Sequence, residues 1–207
     1  MSIGGGVQPH LVESCLEFFE VALHTLLHAR GVYPSTLFER RTKYGCVVYQ
    51  SSSPLLCDSI RALFDELRPL LATNSVETLV VPLLHATTGA WLERYTLEVD
   101  FATPTSEAVT ERDIEDQLGA AVRHLQALEV HAPLQHGTTT WTVQIHAHCP
   151  AAGVEGEAPP PLPFWARVGE GEPTFTALGP TAPPRRVLKT IRAHTMALSL
   201  GMDVTQR

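Results

Sequence analysis

Cysteine is sparse and unpatterned in this chain. Its four residues, Cys15, Cys46, Cys57 and Cys149, make no C-x-x-C pair, so the spacing encodes neither a zinc ribbon nor a redox-active dithiol. The thiols are expected to be free, in a reducing intracellular compartment. Positive charge is short as well: 15 Lys and Arg against 22 Asp and Glu leave a formal charge of −7. A protein that neutralises many phosphates carries a basic face, and direct nucleic-acid binding is therefore not expected. No apolar run approaches the eighteen or so residues that span a bilayer, which speaks against a membrane partner. Met1 to Gln8 is too short and too rich in glycine for a signal peptide. Catalytic signatures are missing too: there is no G-x-S-x-G elbow, no P-loop and no glycine fingerprint after a strand, since Gly4 to Gly6 precede a helix and follow no strand.

What is present is an ordinary globular composition, 44% hydrophobic and 18% charged over 207 residues, which suits a single core. From Pro9 to Arg30 apolar residues recur at Val12, Cys15, Leu16, Phe19, Ala22, Leu23 and Leu26, the spacing of one helix face. Phe18, Val21 and Leu27 widen that face, Pro9 suits the first turn, and Gly31 suits the left-handed position after the last. A second helix is predicted from a Ser53 N-cap and Pro54 to about Leu71. A third runs from Ser106 or Thr110 to Leu128, with Thr110 and Asp113 resembling a capping box. Strands are predicted over Leu79 to Leu84, Trp91 to Phe101 and Trp141 to Ala147, with a hairpin turn from His85 to Gly89. Val47 to Gln50 and Val187 to Leu200 are expected as edge strands. Three main helices on one face of a mainly antiparallel sheet make an α+β layered domain.

The chain holds few groups that could form a reactive site. His146 and His148 stand two apart on a predicted strand and Cys149 follows, so these three are the strongest metal-ligating group. A structural zinc site needs four ligands, however, and no second His or Cys pair stands at a matching spacing, so solvated histidines on a polar face are the preferred reading. A metal-dependent enzyme built on His146, His148 and Cys149 is the remote alternative; the main reading has no metal and no cofactor. His24 and His28 are four apart on the first helix but lack the HExxH pattern. Ser14-Cys15 reads as helix interior, and the pairs Glu17/Glu20 and Asp113/Asp116 read as solvated helix faces. Arg40, Arg41 and Lys43 form a small basic cluster, read as a solvated loop or part of a protein contact.

One region breaks the pattern of short connections. Nine of the sixteen prolines lie between Cys149 and Pro184, in a stretch far longer than the usual loop of a compact domain. Apolar residues, among them Leu162, Phe164, Trp165 and Phe175, punctuate it, and a strand-like segment follows. This composition reads as a strap that returns to the body and can open and close.

Several stretches together resemble a known family. LEFFEVALH (Leu16 to His24), RGVYPSTLFERRTKYG (Arg30 to Gly45), VETLVV (Val76 to Val81), WLERYTLEVD (Trp91 to Asp100) and TWTVQIHA (Thr140 to Ala147) stand in the order of a HORMA domain. The chain is identified on them as similar to that family over residues 9–205, with a core of 9–148 and a safety belt of 149–205. The Tyr33-Pro34 turn is shared with the spindle-checkpoint branch, which gives the alternative reading. LEFFEVALH, PFW (Pro163 to Trp165) and RRVLKT (Arg185 to Thr190) look more like the branch that supplies the accessory subunit of DNA polymerase zeta. The resemblance implies a nuclear, non-catalytic adaptor in translesion synthesis and DNA damage tolerance. Its belt would hold a proline-containing peptide of the polymerase catalytic subunit against a sheet edge. Trp165 would pack on that peptide beside Phe164, with Ser59 where a second aromatic is expected. A translesion scaffold would dock near Arg185, Ser199 and Gly201, residues that differ in kind from the apolar and aromatic ones expected, and an ATP-driven remodeller would release the peptide. An arginine of the third helix linked to self-association is Gly119 here, with Arg123 one turn along.

Overall fold

The computed structural model describes residues 7–101, 111–130, 134, 137–147, 186–193 and 196–204. The expected first helix is α1, Pro9–Ala29. It ends as its sequence dictates: Gly31 adopts a φ of 63°, the Gly31 N–H donates to the His28 carbonyl and the Val32 N–H to the Leu27 carbonyl. That is the paired C-terminal closure for which only glycine has no steric cost. Most of α1 is buried, including Phe18, Leu27 and the polar His24 and Thr25, because the helix touches α2, α3 and β2 at once.

The charged stretch after α1 is not a loop. Phe38–Lys43 forms β1 and Cys46–Ser51 forms β2, an antiparallel hairpin with Lys43 opposite Cys46. The two-residue turn between them has Tyr44 at φ 51° and Gly45 at φ 62°, the doubly left-handed turn that matches strand twist. The basic cluster therefore lies on a strand. The pair stands apart as its own two-stranded sheet, so the expected edge strand at Val47 to Gln50 does not join the main sheet. Helix α2 spans Pro54–Ala72 after Ser53. The Ser53 hydroxyl makes no capping bond; its N–H donates instead to the Ser51 hydroxyl.

The main sheet is antiparallel at every described pairing. Its first two strands, β3 (Val76–His85) and β4 (Trp91–Asp100), are joined by the expected turn, where the His85 ring accepts the Thr87 and Thr88 N–H groups. Helix α3 covers Glu111–Gln126 and passes into a 3-10 turn at Ala127–Val130; the proposed cap at Ser106 or Thr110 lies outside the described residues.

The strand expected from Trp141 to Ala147 is split into β5, Thr139–Trp141, and β6, Gln144–Ala147. Both pair with β3 in one register from His85 opposite Thr139 through Leu83 opposite Trp141 and Val80 opposite Gln144 to Thr78 opposite His146, and it shifts only before Val76 opposite Ala147. The interruption falls opposite Pro82. The Thr142 N–H reaches the Pro82 carbonyl at 3.4 Å, but Pro82 has no N–H to return, so the ladder breaks there.

Residues 187–200, expected as one edge strand, form most of a hairpin: β7, Arg186–Ala193, and β8, Met196–Val204. β8 pairs along β4 from Glu93 to Asp100 and β7 lies outside it, giving the order β5-β3-β4-β8-β7 with β6 beside β3. The helices pack on one face. Phe19 and Leu23 of α1, Phe64 of α2 and Leu125 of α3 meet Leu79, Val81, Tyr95 and Val143 of the sheet around an apolar cavity of about 20 Å³.

Candidate functional site

The C-terminal hairpin occupies the β4 side of the sheet, so β5 and β6 form the opposite border, and among the described residues no strand pairs with their outer edge. Alternation decides which groups that border offers. Thr142 turns its N–H toward β3, so the backbone N–H and C=O groups of Trp141, Val143 and Ile145 turn outward. Three residues in a row at period two thus present ladder groups that have no strand partner among the described residues, the condition for adding a strand.

The edge is held rigidly. The Trp141 Nε1–H donates to the Tyr33 hydroxyl at 2.9 Å, which ties β5 to the turn after α1, and Val143 is buried against the helix layer. The Ala86 N–H donates to the Thr138 carbonyl, fixing the start of β5 to the β3–β4 turn. β6 ends at Ala147 on this border, and β7 begins at Arg186 on the opposite one. Four strand spacings separate those borders, roughly 19 Å, far less than the reach of the connection.

Beneath this framework lies a buried polar knot that periodicity does not reveal. Arg30, 3% exposed at its side chain, places Nη2 2.6 Å and Nε 2.8 Å from the two Glu93 carboxylate oxygens. Its Nη1 donates to the Leu128 carbonyl, the Tyr95 hydroxyl donates to Glu93, and the Arg30 carbonyl accepts the Leu134 N–H. Burial, then the adjacent Glu93 carboxylate, push the Tyr95 phenol well above the usual tyrosine range. The end of α1, β4 and the turn after α3 are locked together by this bidentate pair. Glu93 shares the face of Tyr95, Leu97 and Val99; a charge at period two with apolar residues was its one trace in the sequence.

Of the residues singled out for peptide contact, Trp165 and Phe164 lie outside the described residues. Ser59 is exposed on α2, and its hydroxyl donates to the Leu55 carbonyl of its own helix at 2.8 Å. For the scaffold contact, Arg185 is outside the described residues. Ser199 pairs with Glu98 and Thr190, and Gly201 with Thr96 and Val187, which puts both on the inner strand of the hairpin with a neighbour on each side. His146 sits half-buried on β6 opposite Thr78, while His148 and Cys149 are outside the described residues. No group of three metal-ligating side chains occurs among the described residues. Burial pushes the Cys15 and Cys46 thiols up, away from the range of an activated nucleophile. Gly119 is buried, and a Cβ on it would fall inside contact distance of the Tyr44 carbonyl oxygen.

No protein-family model matches the chain. Among curated proteins it is 27% identical to the mitotic spindle assembly checkpoint protein MAD2A of Mus musculus over 139 residues, covering 65% of this chain and 68% of that one. It is 28% identical to the DNA polymerase zeta processivity subunit of Schizosaccharomyces pombe over 148 residues, covering 65% and 69%. Among solved structures, a chain of the mitotic checkpoint complex superposes with a TM-score of 0.74 at 18% identity, covering 95% of this chain and 99% of that one. HTP-2 of C. elegans bound to a HIM-3 closure motif superposes with a TM-score of 0.73 at 10% identity, covering 96% and 92%. The resemblance read in the sequence therefore stands: the relatives of this chain are MAD2-like HORMA proteins, and its fold is the α+β fold of the HORMA domain.

Proposed function

We propose that this protein is a non-catalytic adaptor that captures an extended peptide of a partner on the outer edge of β5 and β6, with residues 148–185 closing over it as a belt. The observation that supports this reading is the placement of the C-terminal hairpin on β4, which leaves the Trp141–Ile145 border without a strand partner among the described residues. Backbone bonds along that edge would hold the peptide and side-chain pockets would select it. Trp165, with Phe164, is the proposed aromatic contact from the belt.

Within that role, the accessory subunit of DNA polymerase zeta is the preferred assignment, on the motifs LEFFEVALH, PFW and RRVLKT and on the processivity-subunit relative. The captured peptide would come from the polymerase catalytic subunit, in the nucleus, with a translesion scaffold and an ATP-driven remodeller as further partners. A spindle-checkpoint role is the second reading, because the checkpoint relative matches at nearly the same identity. Affinity purification from cells followed by mass spectrometry separates the two: recovery of a polymerase catalytic subunit supports the first, and recovery of checkpoint activators in its place rejects it. Hydrogen exchange tests the site itself. Capture should slow exchange at the Trp141, Val143 and Ile145 amides, and unchanged exchange at all three would reject the edge.

A further inference from the structure

A second recess lies away from the strand edge, between the β1–β2 hairpin and α3. It holds about 390 Å³ and is lined by Arg40, Cys46, Val47, Tyr49, Arg123 and Gln126. Arg40 and Tyr49 are directly opposite in the hairpin register and so share a face, while Arg123 and Gln126 come from the last turn of α3. The walls are already fixed. Gln126 donates to the Val47 carbonyl across the recess, the Tyr49 ring stacks on His28 at 3.7 Å and 9°, and Gly119 lets α3 approach the Tyr44 backbone.

Charge defines what this recess fits. Its neighbours are matched, Arg41 with Glu39 and Lys43 with Glu17, whereas among the described residues Arg40 and Arg123 have no carboxylate within ion-pair distance and no carboxylate lines the recess. Two unmatched guanidinium groups on a chain of net charge −7 form a local positive site beside an apolar shelf, Val47 at 40% exposure and Tyr49. We propose that this recess docks an acidic segment of a partner protein, its carboxylates paired with Arg40 and Arg123 and an apolar side chain on Val47 and Tyr49. A second copy of the chain fits poorly. A two-fold axis through the recess would set guanidinium against guanidinium.

The test is fluorescence polarisation with a labelled Glu-Glu-Leu-Glu-Glu peptide on the full chain, with Lys-Lys-Leu-Lys-Lys as the control peptide. Wild type should bind the acidic peptide saturably and more weakly as salt rises. Arg40→Glu combined with Arg123→Glu should weaken it by roughly tenfold or more, and Arg61→Glu on α2 should leave it unchanged. If the double reversal lowers the melting temperature, the pair Arg40→Gln and Arg123→Gln replaces it with the same expected direction. Equal binding by wild type and either double variant overturns the proposal, as does no saturation by about 1 mM. So does selective binding of a phosphoserine peptide in place of the acidic one, or sedimentation showing a dimer that the acidic peptide does not compete away.

Discussion

At the scale of single residues, the buried pair of Arg30 and Glu93 should dominate local stability. Removing one member leaves the other charged and buried, which costs about 3–5 kcal/mol. Arg30→Met should accordingly lower the urea midpoint far more than Arg61→Met, whose ion pair with Asp58 is exposed on both sides; equal losses would show that the knot is not the anchor inferred. His24 carries a second consequence. It is 2% exposed, its Nδ1 accepts the Ser51 N–H, and burial lowers its pKa from 6.5 to about 4. Folding holds the imidazole neutral, so below about pH 6.5 the unfolded chain binds a proton that the folded one takes up only near pH 4. This contribution is complete above pH 6.5 and is lost as pH falls toward 4, by about 3 kcal/mol in all. Equilibrium unfolding between pH 7 and 4 should therefore show a shallower loss in His24→Gln than in wild type, and parallel curves would reject it.

Elements differ in how plainly the sequence wrote them. α1 and α2 were legible because a stripe of buried residues at helical spacing, a Pro at N1 and Gly31 after the last turn are all local signals. β1 was not. Glu39, Arg40, Arg41 and Lys43 carry no hydrophobic alternation, since the strand's burial comes mainly from Phe38, and its pairing with β2 is signalled only by the Tyr44-Gly45 turn. The split of β5 from β6 was equally hidden, because its cause, Pro82, lies on another strand some sixty residues away. The strand edge left open could not be chosen from sequence either: a hairpin at 186–204 can border either side, and its register with β4 is what places it. Two tests belong here. Pro82→Val should restore a donor opposite Thr142 and join the two short strands, read as slower exchange of the Thr142 amide, and unchanged exchange would place the break elsewhere. Gly119→Ala should cost about 1–3 kcal/mol through the clash with the Tyr44 carbonyl, and an unchanged melting temperature would show that α3 can shift freely.

For the whole molecule, sheet order turns a question of affinity into one of topology. Because β7 is held through β8 and β8 through β4, freeing the C-terminal end means breaking a whole ladder, either β7–β8 or β8–β4, a sub-global unfolding. A peptide captured on the opposite edge, as proposed, would then be enclosed by a covalent loop whose far end is fastened to the other border of the sheet through β7, and its release should be slow even at modest affinity. Leu188 falls at a register shift between Val187 and Lys189, where a proline is tolerated. Leu198, opposite both Val99 and Ile191, lies inside two ladders, so Leu198→Pro should speed release of a labelled peptide much more than Leu188→Pro. A cut tests enclosure more directly than truncation, since deleting the hairpin would also bare the whole edge of β4. With a protease site inserted at Gly156, where added length costs little closure entropy, the intact protein should retain the peptide as wild type does. Cleavage after capture should accelerate its loss while the fold, followed by circular dichroism, persists. Equal release before and after cleavage would show that the peptide is held by the edge alone and that the belt encloses nothing.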